Sequence, residues 1–341
     1  MSTISVMHLE RSLVVRPLAA AAAVAGLSLG VASTGAAQSG TASPSVAPAH
    51  SAVLTAITQF SPAPAPSAPV LSCRVSLPAG ADLATAIAAA PASTTFCLAS
   101  TTYHLTQPLV PKPGDAFIGS PFARPVIDAS ATTPGRAACS TCGRGIWGGD
   151  SMQVFNVDAT NNAQDGIGGG ANITHGWLIV DSQLVHNGSP SQGFAAAGVK
   201  SSRVYTLLDS YVADNIGTGA WCDVGCLGGT WTIEGNTITA NTAGGIRYEI
   251  SDAGALIADN TVTGNDTSHG PGGAGIEIAS SGHALVTNNT LDANNGPAIW
   301  ISNGTNRARN AFGPNQITNN TTNGAAIIGC TQTAQTCTLN A

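Results

Sequence analysis

From residue 179 to residue 320 the apolar positions return on two scales. Locally, single β-branched or leucine residues alternate with Thr, Asn, Asp and Gly. Over a longer distance one short pattern comes back: "SQLVHN" (182–187), "SYVADN" (210–215), "NTITAN" (236–241), "NTVTGN" (260–265), "NTLDAN" (289–294) and "NQITNN" (315–320). The third position of each is apolar: Leu184, Val212, Ile238, Val262, Leu291 and Ile317. Each ends on an Asn (Asn187, Asn215, Asn241, Asn265, Asn294, Asn320), and these are separated by 28, 26, 24, 29 and 26 residues. Eight residues before each final Asn stands a second apolar position: Ile179, Leu207, Ile233, Ile257, Val286 and Phe312. Self-similarity at a period in the twenties predicts a solenoid, in which each repeat buries its apolar residues against its neighbours.

A leucine-rich solenoid shares that period but needs several Leu per repeat and a helical return, and no sustained 3.6-residue pattern is present. Period-2 alternation broken by Gly and Asn instead predicts three short strands per coil. The fold class is all-β, a parallel β-helix whose successive coils pair edge to edge. Asn at one position of consecutive coils is then scaffold, since it bonds along a ladder and accepts the left-handed turn conformation.

The third strand of each coil carries the chain's unusual residues. It is expected at "GVKSS" (198–202), "GAWCD" (219–223), "GIRYE" (245–249), "GIEIA" (275–279) and "AIWIS" (298–302). Apolar second positions (Val199, Ala220, Ile246, Ile276, Ile299) fix the phase, so the fourth positions, Tyr248 among them, also point inward. The third and fifth positions then face solvent. One outer column reads Lys200, Trp221, Arg247, Glu277, Trp300; the other reads Ser202, Asp223, Glu249, Ala279, Ser302. At the strand spacing of roughly 4.7–4.9 Å, Asp223 and Glu249 are expected side by side, with Arg247 and Glu277 adjoining. Longer connections at 188–197 and 266–274 flank this pair and would wall it into a groove.

Neighbouring carboxylates on one sheet face repel, so one is expected to keep its proton or a cation to neutralise both. An arrangement that costs stability without a structural return is a candidate for function. The plainer reading is a surface salt bridge from Arg247 to Glu277 or Asp223, nearly neutral in energy. Retaining glycoside hydrolysis would use Asp223 and Glu249 as acid and nucleophile, roughly 5–5.5 Å apart. Lyase chemistry on a uronate would hold Ca²⁺ on the hard oxygens of Asp223, Glu249 and Glu277. Binding alone would use Trp221 and Trp300 as platforms for sugar rings, though either Trp could equally pack beneath the long loops. His269, in the second long connection, is an acid or base if that loop folds over the groove.

The stretch "ATAIAAAPASTTFCLASTTYHLTQPLVPKPGDAFIGS" (84–120), with a short capping helix and first strands, and the coils from about 150 to 330 resemble the right-handed parallel β-helix proteins of the pectin-lyase-like superfamily. That resemblance implies a right-handed solenoid and a secreted protein that acts on an acidic or neutral polysaccharide, as a lyase or glycoside hydrolase. On the outer columns of the third strands, Asp223, Glu249 and Arg247 are then the expected catalytic set, and Trp221, Lys200, Glu277, Trp300 and His269 the expected substrate contacts. The resemblance also implies that Arg247 or Lys200 could supply a lyase base. The superfamily includes epimerases and non-catalytic surface proteins, so a carbohydrate-binding or cell-surface protein is the alternative, and a trimeric tailspike-like adhesin a third. The polygalacturonase-type "NTD" and "RIK" and the pectate-lyase-type "WIDH" are absent from the sequence.

Composition bears on destination and partners. Arg11 and Arg16 precede "PLAAAAAVAGLSLGVA" and the small residues near Ala37, the layout of a secretory signal over 1–37. Residues 38–70 form an Ala/Ser/Pro-rich linker. Residues 71–341 form one β-helix domain, with cap and first coils at 71–130 and main coils at 131–341. Eight cysteines fall into close pairs, expected as disulfides Cys73–Cys97, Cys139–Cys142, Cys222–Cys226 and Cys330–Cys337. Zinc at "CSTC" would need a second ligand pair nearby in space. Twelve basic and 18 acidic residues give a net charge of −6, which argues against nucleic acid; an uncharged, hydroxyl-rich partner fits better. No later segment is apolar enough to span a membrane, and a monomer is expected.

Overall fold

The computed structural model describes residues 72–131, 143–170, 173–192, 195–266, 273–302 and 314–329, and the backbone of 335–337. All lie in the unit that runs from Ala68 to Ala341. Among these residues the strands form three parallel sheets of 11, 8 and 8 strands. The first runs from Val75–Leu77 to Gln335–Cys337, the second from Thr102–His104 to Thr290–Asp292, and the third from Ile146–Gly148 to Ile327–Ile328. A coil contributes one strand to each in turn, so this is a right-handed parallel β-helix. A seven-residue helix, Leu83–Ala89, caps its N-terminal end, with Asp82 accepting from the Thr85 amide at 3.2 Å and Leu83 and Ile87 buried. So short a helix persists through packing rather than propensity.

The apolar positions read from the repeat stack inside as columns. Ile179, Leu207, Ile233, Ile257 and Val286 follow one another on the first sheet, and Leu184, Val212, Ile238, Val262 and Leu291 on the second. A separate aromatic column runs Trp177, Tyr205, Trp231, with ring centroids 6.1 and 5.5 Å apart, and continues to Tyr248 at 5.7 Å. The facing inward positions of the third sheet are small where the first sheet is large: Gly148, Gly169, Ser201 and Cys222. A Cβ on Gly148 would collide with the indole of Trp177. One coil later the sizes exchange, and Tyr248 fills the space above Ala255, its hydroxyl accepting from the Gly254 amide at 2.9 Å. The inward phase of Tyr248 thus has a steric cause: core volume is shared between sheets at near-crystal density.

Turn chemistry explains the recurrent Asn and Asp. Between the first and second sheets Asp181, Asp209, Asp259, Asn288 and Asn319 all hold φ between 47° and 56°, and Gly235 takes the same place with φ 69°. These are the residue types that tolerate the left-handed region. The interior ladder runs Asn162, Asn187, Asn215, Asn241, Asn265, Asn294, each Nδ2 bonding the Oδ1 of the next at 2.7–3.0 Å.

Asn320 departs from the expected alignment. It belongs to a second ladder, Asn236, Asn260, Asn289, Asn320. Correspondingly, Asn315–Thr318 pairs in the first sheet, with Ile317 beside Val286, where Phe312 was expected. Phe312 itself lies outside the described residues. The last coil is longer, with 31 residues from Asn289 to Asn320, so the final motif falls five residues out of phase.

Cys73–Cys97 and Cys222–Cys226 form disulfides. The expected Cys139–Cys142 pair lies outside the described residues, as do Cys330 and the side chain of Cys337.

Candidate functional site

The third sheet aligns as the alternation requires. Val199, Ala220, Ile246, Ile276 and Ile299 are in register and buried. Facing away from them is the column Trp147, Gly168, Lys200, Trp221, Arg247, Glu277, Trp300, Ile328. Asp223 stands at the level of Glu249, since Cys222 pairs with Tyr248 and the Gly225 amide donates to Ile250 O at 3.0 Å.

The expected exposure of this face is overturned in its middle. Trp221, Glu249 and Glu277 are 4%, 8% and 3% exposed, Ala279 and Ser302 are buried as well, and Lys200, Asp223, Arg247 and Trp300 are half-buried. The cause is that the side chains lie across one another. The Lys200 ammonium sits 3.5 Å from the centroid of the Trp221 ring, and the Arg247 guanidinium lies 5.3 Å from it. The Trp221 indole nitrogen donates to Glu249 Oε2 at 3.0 Å. Trp221 is therefore a packed strut between coils rather than an open platform.

The carboxylates expected to act together turn to different cations. Asp223 Oδ2 lies 3.4 Å from Lys200 Nζ, which also donates to Ala195 O at 3.0 Å. Arg247 holds both other acids, with Nη2 3.2 Å from Glu249 Oε1 and Nη1 2.9 Å from Glu277 Oε2. Ser302 Oγ donates to the remaining oxygen of Glu277 at 2.9 Å. Burial pushes the Glu277 carboxyl above its ordinary range and Glu249 adds to this, while Arg247 and the Ser302 bond partly offset it.

This geometry does not fit the calcium set Asp223, Glu249, Glu277. The guanidinium occupies the place between the two glutamates that a cation would need, and Asp223 is turned away toward Lys200. Among the described residues no group of three or more His, Cys, Asp or Glu converges as a metal site. The pairing of Asp223 with Glu249 as hydrolytic acid and nucleophile meets the same obstacle, because both Glu249 oxygens already have donors. His269 lies outside the described residues.

Solvent reaches this face two coils nearer the N-terminus. A pocket of about 170 Å³ is lined by Arg144, Trp147, Gly169, Lys200, Ser201, Ser202 and Asp223. Its wall contains a buried ion pair, Arg144 Nε to Asp165 Oδ2 at 2.6 Å, with Asp165 Oδ1 accepting from the Ala197 amide at 3.0 Å. Asp165 is fully buried, and that desolvation raises its pKa against the opposing effect of Arg144 and Lys200. The pair fills the place of the side chain that Gly168 lacks; a Cβ there would strike both Arg144 and Asp165. Arg144 also lies 4.9 Å from the Trp147 ring, which stays half-exposed.

Arg144, Trp147 and Asp165 were not among the candidates read from the sequence. The signal was there: "GIWGG" (145–149) and "GIGGG" (166–170) repeat the Gly-apolar-outer phase of "GVKSS", and "VDATNN" (157–162), with Ala159 at its third position and Val154 eight residues before Asn162, is an earlier, weaker copy of the repeat that starts "GIGGG" four residues on.

The family described as right handed beta helix region matches residues 174–339. Among solved structures, a pectate lyase, Pel9A, is similar over 79% of this chain and 75% of its own length, with 13% identity and a TM-score of 0.53. A periplasmic alginate epimerase, AlgG, gives a TM-score of 0.47 at 12% identity, over 72% of this chain and 59% of its own. A mutant of that epimerase gives 0.46 at 12% identity, over 72% and 60%. No curated protein matches the sequence.

Proposed function

For a chain that folds as a right-handed parallel β-helix, we propose recognition of a polysaccharide along the outer face of the third sheet, centred on the pocket of Trp147, Lys200 and Asp223. One observation carries this reading. An open pocket with an aromatic ring, a hydroxyl, an ammonium and a carboxylate sits in a column of Trp and charged side chains that runs from coil to coil. A linear polymer meets repeated contacts along such a column, and concave sites with a few convergent polar groups around an aromatic surface suit sugar rings. The pectate lyase among the fold's neighbours supports a polysaccharide ligand in the same sense. The two local disulfides suit an oxidising, extracytoplasmic compartment, as does an export signal over residues 1–37.

Cleavage of the bound polymer is the second reading, and the accessibility of Asp223 favours it. That side chain is 29% exposed, against 11% for Glu249 and 4% for Glu277. Asp223 is then the acid or base that a substrate could meet, with Lys200 as the cation beside it, in a hydrolase or a lyase. Arg247, Glu249 and Glu277 serve as the support behind it.

Titration calorimetry of the whole chain against soluble polysaccharides, with reducing ends and unsaturated products followed in parallel, tests both readings. Trp147→Ala should abolish binding, and Asp223→Asn should abolish any cleavage while the fold is kept. Wild type that binds no polysaccharide, or Trp147→Ala that binds as wild type does, would sink the proposal.

A further inference from the structure

We infer that the polysaccharide taken by this pocket is uncharged, an inference that rests on the polysaccharide reading and narrows it. The charges of the site are already closed among themselves. Arg144 is matched to Asp165 at 2.6 Å and Lys200 to Asp223 at 3.4 Å, so the pocket and its wall hold two cations and two carboxylates. In the following coils Arg247 is matched to two glutamates. Along this column no described cation stands without a carboxylate partner.

A polyanion would have to displace Asp223 from Lys200. That would put two carboxylates into one partly desolvated pocket, and like charges a few ångströms apart there repel far more than in bulk water. A bridging metal could relieve the conflict, but the nearest acids are turned onto Arg247 and Lys200. At longer range the chain's net charge of −6 disfavours approach of a polyanion.

An uncharged sugar requires none of this. The half-exposed Trp147 ring can meet the apolar face of a pyranose. Asp223 can accept from ring hydroxyls while it keeps Lys200, and Ser202 Oγ can donate or accept. Charge-assisted bonds from a carboxylate to sugar hydroxyls are among the stronger polar contacts open to such a ligand. Asp223 then has two tasks: it bonds the neutral ligand and masks Lys200 from anions.

The test compares polygalacturonate with its carboxyl-reduced derivative, and adds neutral glucan, mannan, xylan and galactan against alginate. Affinity is measured by calorimetry at low and high salt, with wild type, Lys200→Met and Asp223→Asn, each checked for an unchanged melting profile. The expected result is that at least one neutral polymer binds wild type about tenfold or more tighter than every acidic one, with little dependence on salt. Asp223→Asn should weaken the neutral ligand and gain affinity for the acidic polymers, and the gain should vanish when Lys200→Met is added. Tighter, salt-sensitive binding of an acidic polymer to wild type would overturn the inference yet leave the polysaccharide site standing. So would an Asp223→Asn variant with no gain for acidic polymers. Failure to bind any polymer of either class would remove the polysaccharide reading itself.

Discussion

The indole of Trp221 and the carboxylate of Glu249 are joined across one coil by a 3.0 Å hydrogen bond, and both residues are more than nine-tenths buried. A buried carboxylate that loses a donor bears a desolvation cost out of proportion to the bond's own net contribution. Trp221→Phe keeps most of the ring under Lys200 and removes only the N–H. It should lower stability by about 1–3 kcal/mol, read as a shift in the urea midpoint without a change in slope. In the Glu249→Gln background the same substitution should cost clearly less, because no buried charge is then left short of a donor. Equal losses in both backgrounds would show that the bond carries no coupling.

Gly168→Ala tests whether the buried ion pair is fitted into the column. The new methyl meets Arg144 and Asp165 together, and because Asp165 is fully buried the displacement falls on the Arg144 side chain at the pocket. A loss of about 1–3 kcal/mol is expected, along with weakened polysaccharide binding as the guanidinium shifts against Trp147. Normal stability with normal binding would mean that the pair repacks freely.

The interior Asn ladder should be costly to interrupt. Asn241 Nδ2 donates to Asn265 Oδ1 at 2.9 Å and to Val212 O at 3.2 Å, and its Oδ1 accepts from the side chain and backbone of Asn215. Asn241→Ala leaves several buried groups unpaired and should destabilise by about 3 kcal/mol or more. Thr237→Ala, at an exposed position on the same coil, should stay within about 0.5 kcal/mol. Thermal denaturation of the pair checks the contrast.

Asp158 makes stability fall as pH rises through mildly acidic values. Burial raises its pKa to about 6, against a weaker pull from Arg124, whose Nε lies 3.9 Å away. The folded chain therefore holds this proton to a higher pH than the unfolded chain does. Its protonated form costs nothing below about pH 4, and the penalty grows until it is complete above about pH 6, reaching roughly 3 kcal/mol. Asp158→Asn should match wild type near pH 4 and exceed it at pH 7, as read by urea unfolding across that range. Asp165 and Glu277 are also raised and share the same sign, so the difference between the two proteins isolates Asp158. A gap that does not change with pH would exclude its titration as the cause.

What the sequence made legible follows from which contacts are set by the backbone. The phase of Ile246, Arg247, Tyr248 and Glu249 could be read because alternation along a strand admits only two answers, and the isoleucines chose between them. Register from coil to coil was legible wherever the loop lengths stayed near the mean. It failed at Asn320, where one longer coil displaced an otherwise matching motif into another sheet. Exposure was not legible, because it depends on how Lys200 and Arg247 fold back over Trp221. The choice of ion-pair partner was equally hidden: Asp223 and Glu249 share a level, yet each turns to a different cation. The pocket escaped notice because its floor is written in glycines, whose role is to leave room for a pair drawn from Arg144 and Asp165.

The column of Trp177, Tyr205, Trp231 and Tyr248 gives this solenoid an internal optical gauge. Four stacked or edge-on chromophores, each held asymmetrically about 6 Å from the next, couple their transitions and produce a near-ultraviolet dichroism that depends on their relative orientation. They belong to three successive coils, the same ones that carry Lys200, Asp223 and Arg247. Loosening of that central stretch would therefore register as a lost band, while fraying at either end of the stack of coils would leave the signal intact.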